Sequence, residues 1–405
     1  MDVIFLSPGY PPEMHQFTRG LARVGARVWG VGDSALGALP EDVRGALAGY
    51  LQVPSMLDED DVLRRTLAWV GDRRPDRVEG NWEPVTMLAA RLRGSLGLPG
   101  MTPDVVNGFR DKVLMRARVE AAGLAVPVSR RVRSVRAAWE VADQIGYPLI
   151  IKPIAGAGSA DTFRVNTPAE LEAALSATRH VDELSVETFV QGDEYTYETI
   201  CVDGVPQVES VCRYHPNTLI ARQNEWISPI IQSHLDLTDP EVRPGVELGR
   251  SVLKALGMGT GFTHMEWFRT PDGRAVFGEI ACRAPGANMV DLTNYTFDAD
   301  LFTEWARAVC HGEVAGPLRP RWSAAIIFKR ARGQGRIRAV EGLQAFVARH
   351  HRAIARLDLL PIGAPRRNWQ QTFLSDGNLV VRSEDVQTTL AIAREAASQI
   401  QLYAG

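Results

Sequence analysis

Near the N-terminus, short apolar runs alternate with one helical stripe. An apolar run at 3–6 precedes three apolar side chains with the i, i+4, i+7 spacing of a helix face: Phe17, Leu21 and Val24. A second apolar run follows at 26–31. Because a strand, a helix and a strand in this order form a βαβ unit, we predict a small parallel α/β domain over residues 1–105.

Further along the chain, the pattern predicts strands, a hairpin and a closing helix. The strands are predicted at 147–152, 185–190, 195–201, 324–328 and 379–382, and the hairpin arms at 262–269 and 274–283. Thr167-Pro168-Ala169-Glu170 has the cap residue, N1 proline and capping-box glutamate of a helix start. A helical stripe at 387–400 ends a C-terminal module of mixed α+β type.

Composition and charge narrow the functional classes. The chain has 405 residues, 45% of them hydrophobic, and a net charge of −3, so we expect two or three globular domains and no nucleic-acid or membrane partner. The cysteines form no CxxC pair, which disfavours a zinc site or a disulfide framework: Cys201, Cys212, Cys282 and Cys310. The N-terminus lacks a basic segment, and no apolar run reaches the roughly 18 residues of a membrane span, so we expect a cytoplasmic protein.

A dinucleotide-binding motif is matched only superficially by Gly30-Val31-Gly32-Asp33-Ser34-Ala35. This stretch follows the second predicted strand, whereas the fingerprint of nicotinamide-binding folds follows the first. We therefore interpret it as a strand-to-loop turn. A nicotinamide oxidoreductase is the alternative that an NADH titration would test.

Two lysines lie where a phosphate-binding site needs cations. Lys112 is early in a predicted helix just after the first domain. Lys152 ends a predicted strand directly before the small-residue loop 155–160, which contains Ser159. A glycine-rich backbone presents N–H groups without Cβ obstruction, and a lysine beside it reaches a phosphate oxygen. Each charge-assisted contact of this kind contributes about 1.5–3 kcal/mol.

The segment 187–194, a strand that runs into a turn, is a candidate nucleoside site. Backbone groups at such a strand end can bind an adenine edge, and a carboxylate a few residues later can accept hydrogen bonds from ribose hydroxyls. Glu187 and Glu194 also fit a second interpretation, in which they are salt-bridge partners with no special role.

The predicted hairpin brings two glutamates together if its loop is even-numbered. In that register Glu266 pairs with Phe277, and His264 pairs with Glu279. One face then carries His264, Glu266, Glu279, Ala281 and Arg283, and the core face carries Met265, Trp267, Val276 and Ile280. The two glutamates become diagonal neighbours with Cβ atoms roughly 7–8 Å apart, and such a pair can share Mg²⁺ ions. An odd-numbered loop would scatter these residues.

Four segments, in this order, resemble the motifs of the ATP-grasp superfamily. They are 110–112 with 121–127 (opening helix), 146–153 with the small-residue loop (phosphate strand), 187–194 (adenine hinge and ribose carboxylate) and 278–283 (metal motif). The resemblance covers about residues 106–310 and implies a two-lobed ATP-grasp fold with antiparallel sheets over 106–312. Its nucleotide lobe would span about 106–192 and its metal and substrate lobe about 193–312. The resemblance also implies a pre-ATP-grasp domain over 1–105 and a C-terminal module over 313–405.

The resemblance also implies roles for single residues. Lys112, Lys152 and Ser159 would hold ATP phosphates, Glu187, Phe189 and Val190 would bind adenine, Glu194 would bind ribose, and Glu266 and Glu279 would ligate Mg²⁺ or Mn²⁺. Arg283 would steady the transferred phosphoryl group or an acyl phosphate, and His264 would contact phosphate or substrate. Ala281 departs from the asparagine that the family often has there, which removes one oxygen ligand of the metal.

The implied activity is that of an ATP- and Mg²⁺-dependent ligase. It would activate a small-molecule carboxylate as an acyl phosphate and join it to an amine, with amino acids or peptides as the favoured substrates. The alternatives are a carboxylase-type enzyme, of the biotin-carboxylase or purine-pathway kind, and a non-catalytic ATP-binding module. By analogy with relatives we expect a homodimer. The loop 155–160 and the segment 213–228, with Arg222, Asn224 and Trp226, are candidates to cover the site.

Overall fold

The computed structural model describes residues 1–154, 161–372 and 374–405. Its N-terminal part alternates strands and helices: β1 (Asp2–Leu6), α1 (Met14–Arg23), β2 (Arg27–Gly32), α2 (Glu41–Ala46), β3 (Leu47–Gln52), α3 (Glu59–Val70), β4 (Arg77–Glu79) and α4 (Thr86–Leu96). The strands form a parallel sheet in the order β3-β2-β1-β4. The predicted parallel α/β fold of this region is confirmed.

Strand β1 is buried on both faces, which fixes this sheet against the rest of the protein. Val3 and Phe5 pack in an apolar cluster with Trp305, while the alternate residues of β1 pack on the opposite face. Helix α1 approaches closely, since a Cβ added to Gly20 would lie 2.5 Å from the carbonyl oxygen of Phe302.

The glycines of the superficial dinucleotide motif accommodate a tyrosine side chain. A Cβ at Gly30 would lie 2.9 Å from the Tyr50 ring, and one at Gly32 would lie 2.7 Å from the Tyr50 hydroxyl. That hydroxyl donates to the carbonyl of Ser34 at 2.6 Å. These glycines therefore have a packing function in β2, which agrees with the strand-to-loop interpretation.

A small antiparallel lobe follows. Its elements are α5 (Pro103–Arg110), α6 (Lys112–Ala121), β5 (Ser129–Val132), α7 (Val135–Ile145), β6 (Leu149–Pro153), β7 (Phe163–Val165), α8 (Pro168–Ala177) and β8 (Leu184–Thr188). The four strands pair in the order β5-β8-β6-β7. The predicted capping of α8 is confirmed, because the Thr167 side chain accepts from the Glu170 N–H at 3.2 Å. Glu170 in turn accepts from the backbone N–H of Asn166 at 2.8 Å.

The next segment builds most of a large antiparallel sheet. It contains β9 (Asp193–Val202), β10 (Val205–His215), α9 (Thr218–Gln223), β11 (Ile230–Ser233), α10 (Arg243–Leu256), β12 (Gly261–Arg269), β13 (Ala275–Ala281), α11 (Met289–Phe297) and α12 (Leu301–His311). Helix α10 packs closely on the face of this sheet that carries Trp267, here called the far face. A Cβ at Gly245 would lie 2.1 Å from the Trp267 ring.

The C-terminal segment continues the same sheet. It contains β14 (Ser323–Phe328), β15 (Arg332–Gly333), β16 (Ile337–Glu341), α13 (Leu343–His350), β17 (Ile354–Leu359), β18 (Gly377–Ser383), α14 (Val386–Gln399) and β19 (Gln401–Ala404). The large sheet has the order β13-β12-β9-β10-β11-β14-β18-β17, and β15-β19-β16 form a separate small sheet. The division into domains at 105 and 312 stays a prediction, and the large sheet extends across residue 312. Within the described ranges, no helix has the length and apolar character to cross a membrane.

The register of the β12–β13 hairpin differs from the predicted one. The N–H of Thr270 donates to the Arg274 carbonyl at 3.0 Å, which leaves a loop of three residues between them. The loop is therefore odd-numbered, and the predicted even loop is wrong. A β-bulge at Gly278 then adds one residue to β13, and Glu266 pairs directly with Glu279. A Cβ at Gly278 would lie 2.8 Å from the carbonyl oxygen of Glu266, which explains the glycine.

The bulge also changes which side chains face the core. Phe277 pairs with Trp267 and is fully buried, whereas Val276, predicted for the core face, is only partly buried. His264 pairs with Ala281, and not with Glu279 as predicted. The odd loop and the bulge compensate each other, so the two glutamates still share one face.

Candidate active site

Helix α6 places one lysine against the β12–β13 hairpin. The Asp111 side chain caps the helix by accepting from the N–H groups of Val113 and Leu114, each at 3.0 Å. Lys112 is thereby the first helical residue, and its Nζ lies 2.8 Å from Oε2 of Glu279. The Glu279 carboxylate outweighs the effect of burial and raises the pKa of Lys112.

Strand β6 brings the second lysine to the same place. Nζ of Lys152 lies 3.2 Å from Oε2 of Glu187 and 3.9 Å from Oε2 of Glu279. Burial lowers the pKa of Lys152 despite these carboxylates. The two lysines and the hairpin glutamate therefore meet between the small lobe and the large sheet.

The paired glutamates of the hairpin form a group of excess negative charge. Burial and the neighbouring charges of Glu279 and Glu194 raise the pKa of Glu266 to about 7. Burial alone would also raise the pKa of Glu279, but Lys112 and Lys152 outweigh it and lower this pKa to about 2. A divalent cation would relieve the repulsion at Glu266, and carboxylate oxygens are ligands that Mg²⁺ prefers. Among the described residues no group of three or more acidic, His or Cys side chains is arranged as a metal site.

An arginine that the sequence reasoning missed pairs with Glu187. Arg116 lies one turn after Lys112 on the same helix face, forms an ion pair with Glu187 and donates to the carbonyl of Gly278 at 3.2 Å. Burial would raise the pKa of Glu187, but Arg116 and Lys152 outweigh it and lower the pKa to about 2. Glu187 is therefore an ionised, buried carboxylate that anchors β8 to α6.

In the segment predicted to bind the nucleoside, several polar groups already have hydrogen-bond partners within the protein. The N–H of Phe189 donates to the carbonyl of Pro148 at 3.1 Å, and its ring lies under the Arg164 guanidinium at 4.2 Å. The Phe189 N–H therefore already has a partner within the protein, and its neighbour Val190 is partly buried. Glu194 accepts from the Thr218 N–H at 2.6 Å, and burial raises its pKa to about 7.

Arg283 is fixed by a second residue that the sequence reasoning missed. Its Nε donates to Glu83 at 2.8 Å, and one of its terminal nitrogens donates to the carbonyl of Ala284 at 2.7 Å. Glu83 begins a short 3-10 helix after β4 (Glu83–Val85), so the N-terminal part of the chain contributes a carboxylate next to the hairpin. Arg110 lies 3.6 Å from the other oxygen of Glu83. No local pattern in the sequence indicates this contact, since 200 positions separate the partners.

Known proteins match both the sequence and the fold. A family model described as "Carbamoyl-phosphate synthase L chain, ATP binding domain" matches residues 111–202. The crystal structure of an L-amino acid ligase from Bacillus licheniformis superposes with a TM-score of 0.80 over 100% of this chain and 98% of that chain, at 20% identity. The matched segment and the fold of the chain are those of the ATP-grasp superfamily. The predicted fold class is thereby confirmed.

Two curated ATP-grasp relatives come from Bacillus subtilis. The L-arginine-specific L-amino acid ligase is 24% identical over 234 residues, which are 56% of this chain and 56% of that protein. The alanine–anticapsin ligase is 26% identical over 280 residues, which are 64% of this chain and 58% of that protein. The chain thus spans about half the length of the curated relatives it matches.

The ATP-grasp assignment leaves the roles of single residues as predictions, some of them outside the described part. Ser159 and the loop 155–160 fall among the residues that the structure does not describe. In the other predicted cover segment, Arg222 donates to the carbonyl of Gln370 at 3.1 Å, and Trp226 is 76% exposed. Asn224 donates to the carbonyl of Ile220 at 2.8 Å, which stabilises the end of α9.

Proposed function

We propose that the chain is an ATP- and Mg²⁺-dependent ligase that activates a carboxylate as an acyl phosphate and joins it to an amine. The observation that carries this proposal is the meeting of Lys112 and Lys152 with the directly paired Glu266 and Glu279. Two ammonium groups suit a triphosphate, and two carboxylates beside them suit the cation that accompanies it.

The chain's own residues would act mainly by binding and orientation. Lys112 and Lys152 would hold phosphate oxygens and release Glu279 to the metal. Glu266 and Glu279 would hold Mg²⁺, with phosphate oxygens and waters as its remaining ligands. The bound ion supplies charge neutralisation during phosphoryl transfer. Arg283, next to the hairpin, would stabilise negative charge on the transferred phosphoryl group.

An amino acid is the favoured substrate class. The proteins named above are L-amino acid ligases and an alanine–anticapsin ligase, which supports this choice. The contact between Glu83 and Arg283 also supports it, because a carboxylate beside a guanidinium matches the ammonium and carboxylate groups of a free amino acid.

A phosphate-release screen tests the proposal. The protein is incubated with Mg-ATP and pairs of amino acids or small carboxylates, and product masses identify the two substrates. We expect ADP and phosphate, whereas AMP would contradict the acyl-phosphate route. Glu279→Gln should abolish release. Asp272→Asn makes the same chemical change in the exposed turn of the same hairpin, so this variant should retain wild-type turnover.

A carboxylase-type reaction is the second candidate. The N5-carboxyaminoimidazole ribonucleotide synthetase of Thermotoga maritima superposes with a TM-score of 0.72 over 100% of this chain and 99% of that chain, at 16% identity. Bicarbonate as the acid in the same screen distinguishes the two candidates. If ATP binds and neither type of acid yields phosphate, the chain is instead a non-catalytic ATP-binding module.

Three finer properties belong to the same proposal. Mn²⁺ should replace Mg²⁺ in the release assay, because it accepts the same carboxylate ligands. The protein should act in the cytoplasm, as bacterial ligases of small molecules do. It should form a homodimer, and light scattering on a sizing column measures this directly.

A further inference from the structure

Glu198 is a buried carboxylate on the active-site face that none of the roles above uses. It lies on β9, four residues after Glu194, so both side chains point to the same face of the large sheet. Its exposed fraction is 4%, and its Oε2 has no hydrogen-bond partner among the described residues. A buried carboxylate in this position needs a compensating contact, and β12 supplies it.

That contact is His264. The two residues are direct cross-strand partners, and Nδ1 of His264 lies 3.0 Å from Oε1 of Glu198. The opposite ring nitrogen, Nε2, lies 3.8 Å from Oε1 of Glu266. Side-chain exposure rises along this line, from 4% at Glu198 through 12% at His264 to 25% at Glu266. The imidazole therefore extends from the interior of the sheet toward the open side of the site.

The hydrogen bond at one ring nitrogen determines what the other nitrogen offers. A carboxylate at Nδ1 accepts a hydrogen bond, so the ring proton resides on Nδ1 and a neutral ring carries its lone pair on Nε2. We propose that Glu198 is a positioning residue that fixes the orientation and tautomer of His264, so that Nε2 accepts a hydrogen bond from the N–H of the amine substrate. This inference rests on the proposed ligase function.

A purely structural contact would have different consequences. Glu209 is a suitable comparison, because it lies on the far face of the sheet, where it pairs with Tyr197 at 2.6 Å and with Arg250 at 2.6 Å. Glu209→Gln should affect stability without changing turnover. Replacing Glu198 should instead lower turnover, and it should do so only in a protein that still carries His264.

The tautomer is measurable without any activity assay. Nitrogen-15 NMR of the 405-residue chain, labelled at its eight histidines, resolves the ring nitrogens, and the spectrum of His264→Asn identifies the signal of His264. At a pH where the His264 ring carries a single proton, we expect that proton on Nδ1 in wild type and a mixture of tautomers in Glu198→Leu. A singly protonated ring with its proton on Nε2 in the wild type overturns the proposal.

A double-mutant cycle tests the functional part. With a substrate pair identified in the release screen, Glu198→Leu should lower kcat about tenfold or more while KM for ATP changes less than about twofold. Glu198→Gln should retain most of the activity, because its amide oxygen still accepts from Nδ1–H. In the His264→Asn background, Glu198→Leu should cause no further loss.

The outcomes separate this inference from the proposed function. If wild type turns over and Glu198→Leu matches it, or if the losses from the two positions multiply, Glu198 does not act through His264. If no acid and amine pair yields phosphate, the ligase proposal fails, and the NMR result still reports the geometry of the Glu198–His264 pair. If Glu198→Leu does not fold, the Glu198→Gln variant and the NMR spectrum of wild type decide.

Discussion

Replacing Arg116 by methionine should destabilise the small lobe by about 3 kcal/mol. Removing one partner of a buried ion pair typically costs about 3–5 kcal/mol, and the lower end applies because Lys152 stays 3.2 Å from Glu187. The lowered pKa of Glu187 gives a similar magnitude. A fall from its ordinary 4.5 to about 2 corresponds to roughly 3 kcal/mol at neutral pH.

The pH dependence has a definite sign. Since the folded-state pKa of Glu187 is depressed, its stabilising contribution is fully present above the ordinary value of 4.5. The contribution is lost as the pH falls from there toward 2. The difference between wild type and Arg116→Met should therefore be largest near pH 7 and shrink in acid.

Hydrogen exchange measured by mass spectrometry is a suitable assay, because it reports the small lobe separately from the other parts of the chain. Amides of β6 and β8 should exchange about a hundredfold faster in Arg116→Met at pH 7. The double variant Arg116→Met/Glu187→Met removes both charges and should recover at least about 1 kcal/mol of the loss. Equal exchange in the single and double variants would refute the view that the cost arises from an unpaired Glu187.

Three further predictions concern other parts of the chain. Gly278→Val should lower Mg-ATP turnover at least about tenfold, because the new side chain disrupts the bulge that pairs Glu266 with Glu279. The circular dichroism spectrum should stay unchanged. Turnover equal to that of wild type would contradict this prediction. Burial lowers the pKa of Lys329 to about 7, so loss of its proton should contribute roughly 2–3 kcal/mol of stability between pH 7 and 9. Urea titrations should show this gain as a difference between wild type and Lys329→Met that changes over that pH range. Gly245→Ala should lower the free energy of unfolding by about 1–3 kcal/mol, because the new Cβ would overlap the Trp267 indole. Gly45→Ala, where a Cβ would meet nothing within 4 Å, should raise it by about 0.5–1 kcal/mol. Thermal unfolding of the two variants measures this contrast.

β1, α1, β2 and the two arms of the hairpin were predictable because burial imposes period 2 or 3.6 on apolar positions. The register of the β12–β13 hairpin was not, because two local events determine it. A three-residue turn shifts the pairing by one position, and the bulge at Gly278 shifts it again. Each event alone would place Glu266 and Glu279 on opposite faces. Side-chain patterning in the sequence reports only their sum, so the predicted pairing was wrong while the shared face was correct.

Three polar residues of the site, Arg116, Glu198 and Glu83, were not predicted, and the sequence pattern indicates only the first two. Arg116 follows Lys112 by four residues on one helix, and Glu198 follows Glu194 by four residues on one strand, so both share a face with a predicted site residue. The helical and strand periods therefore indicate both residues. Glu83 carries no such signal, because its position beside Arg283 depends on how the N-terminal sheet packs against the large one.

Strand β14 pairs with β11 and so extends the sheet whose strands β12 and β13 carry the paired glutamates. The C-terminal residues are therefore part of the sheet that holds the site. A polypeptide truncated at 312 would lose β14 and β18, and the edge of β11 that faces β14 would lose its hydrogen-bond partners. An exposed strand edge of this kind can pair with strands of other molecules, so the truncated polypeptide should aggregate. Attempts to isolate the catalytic half for crystallisation or engineering should therefore retain the chain through β18.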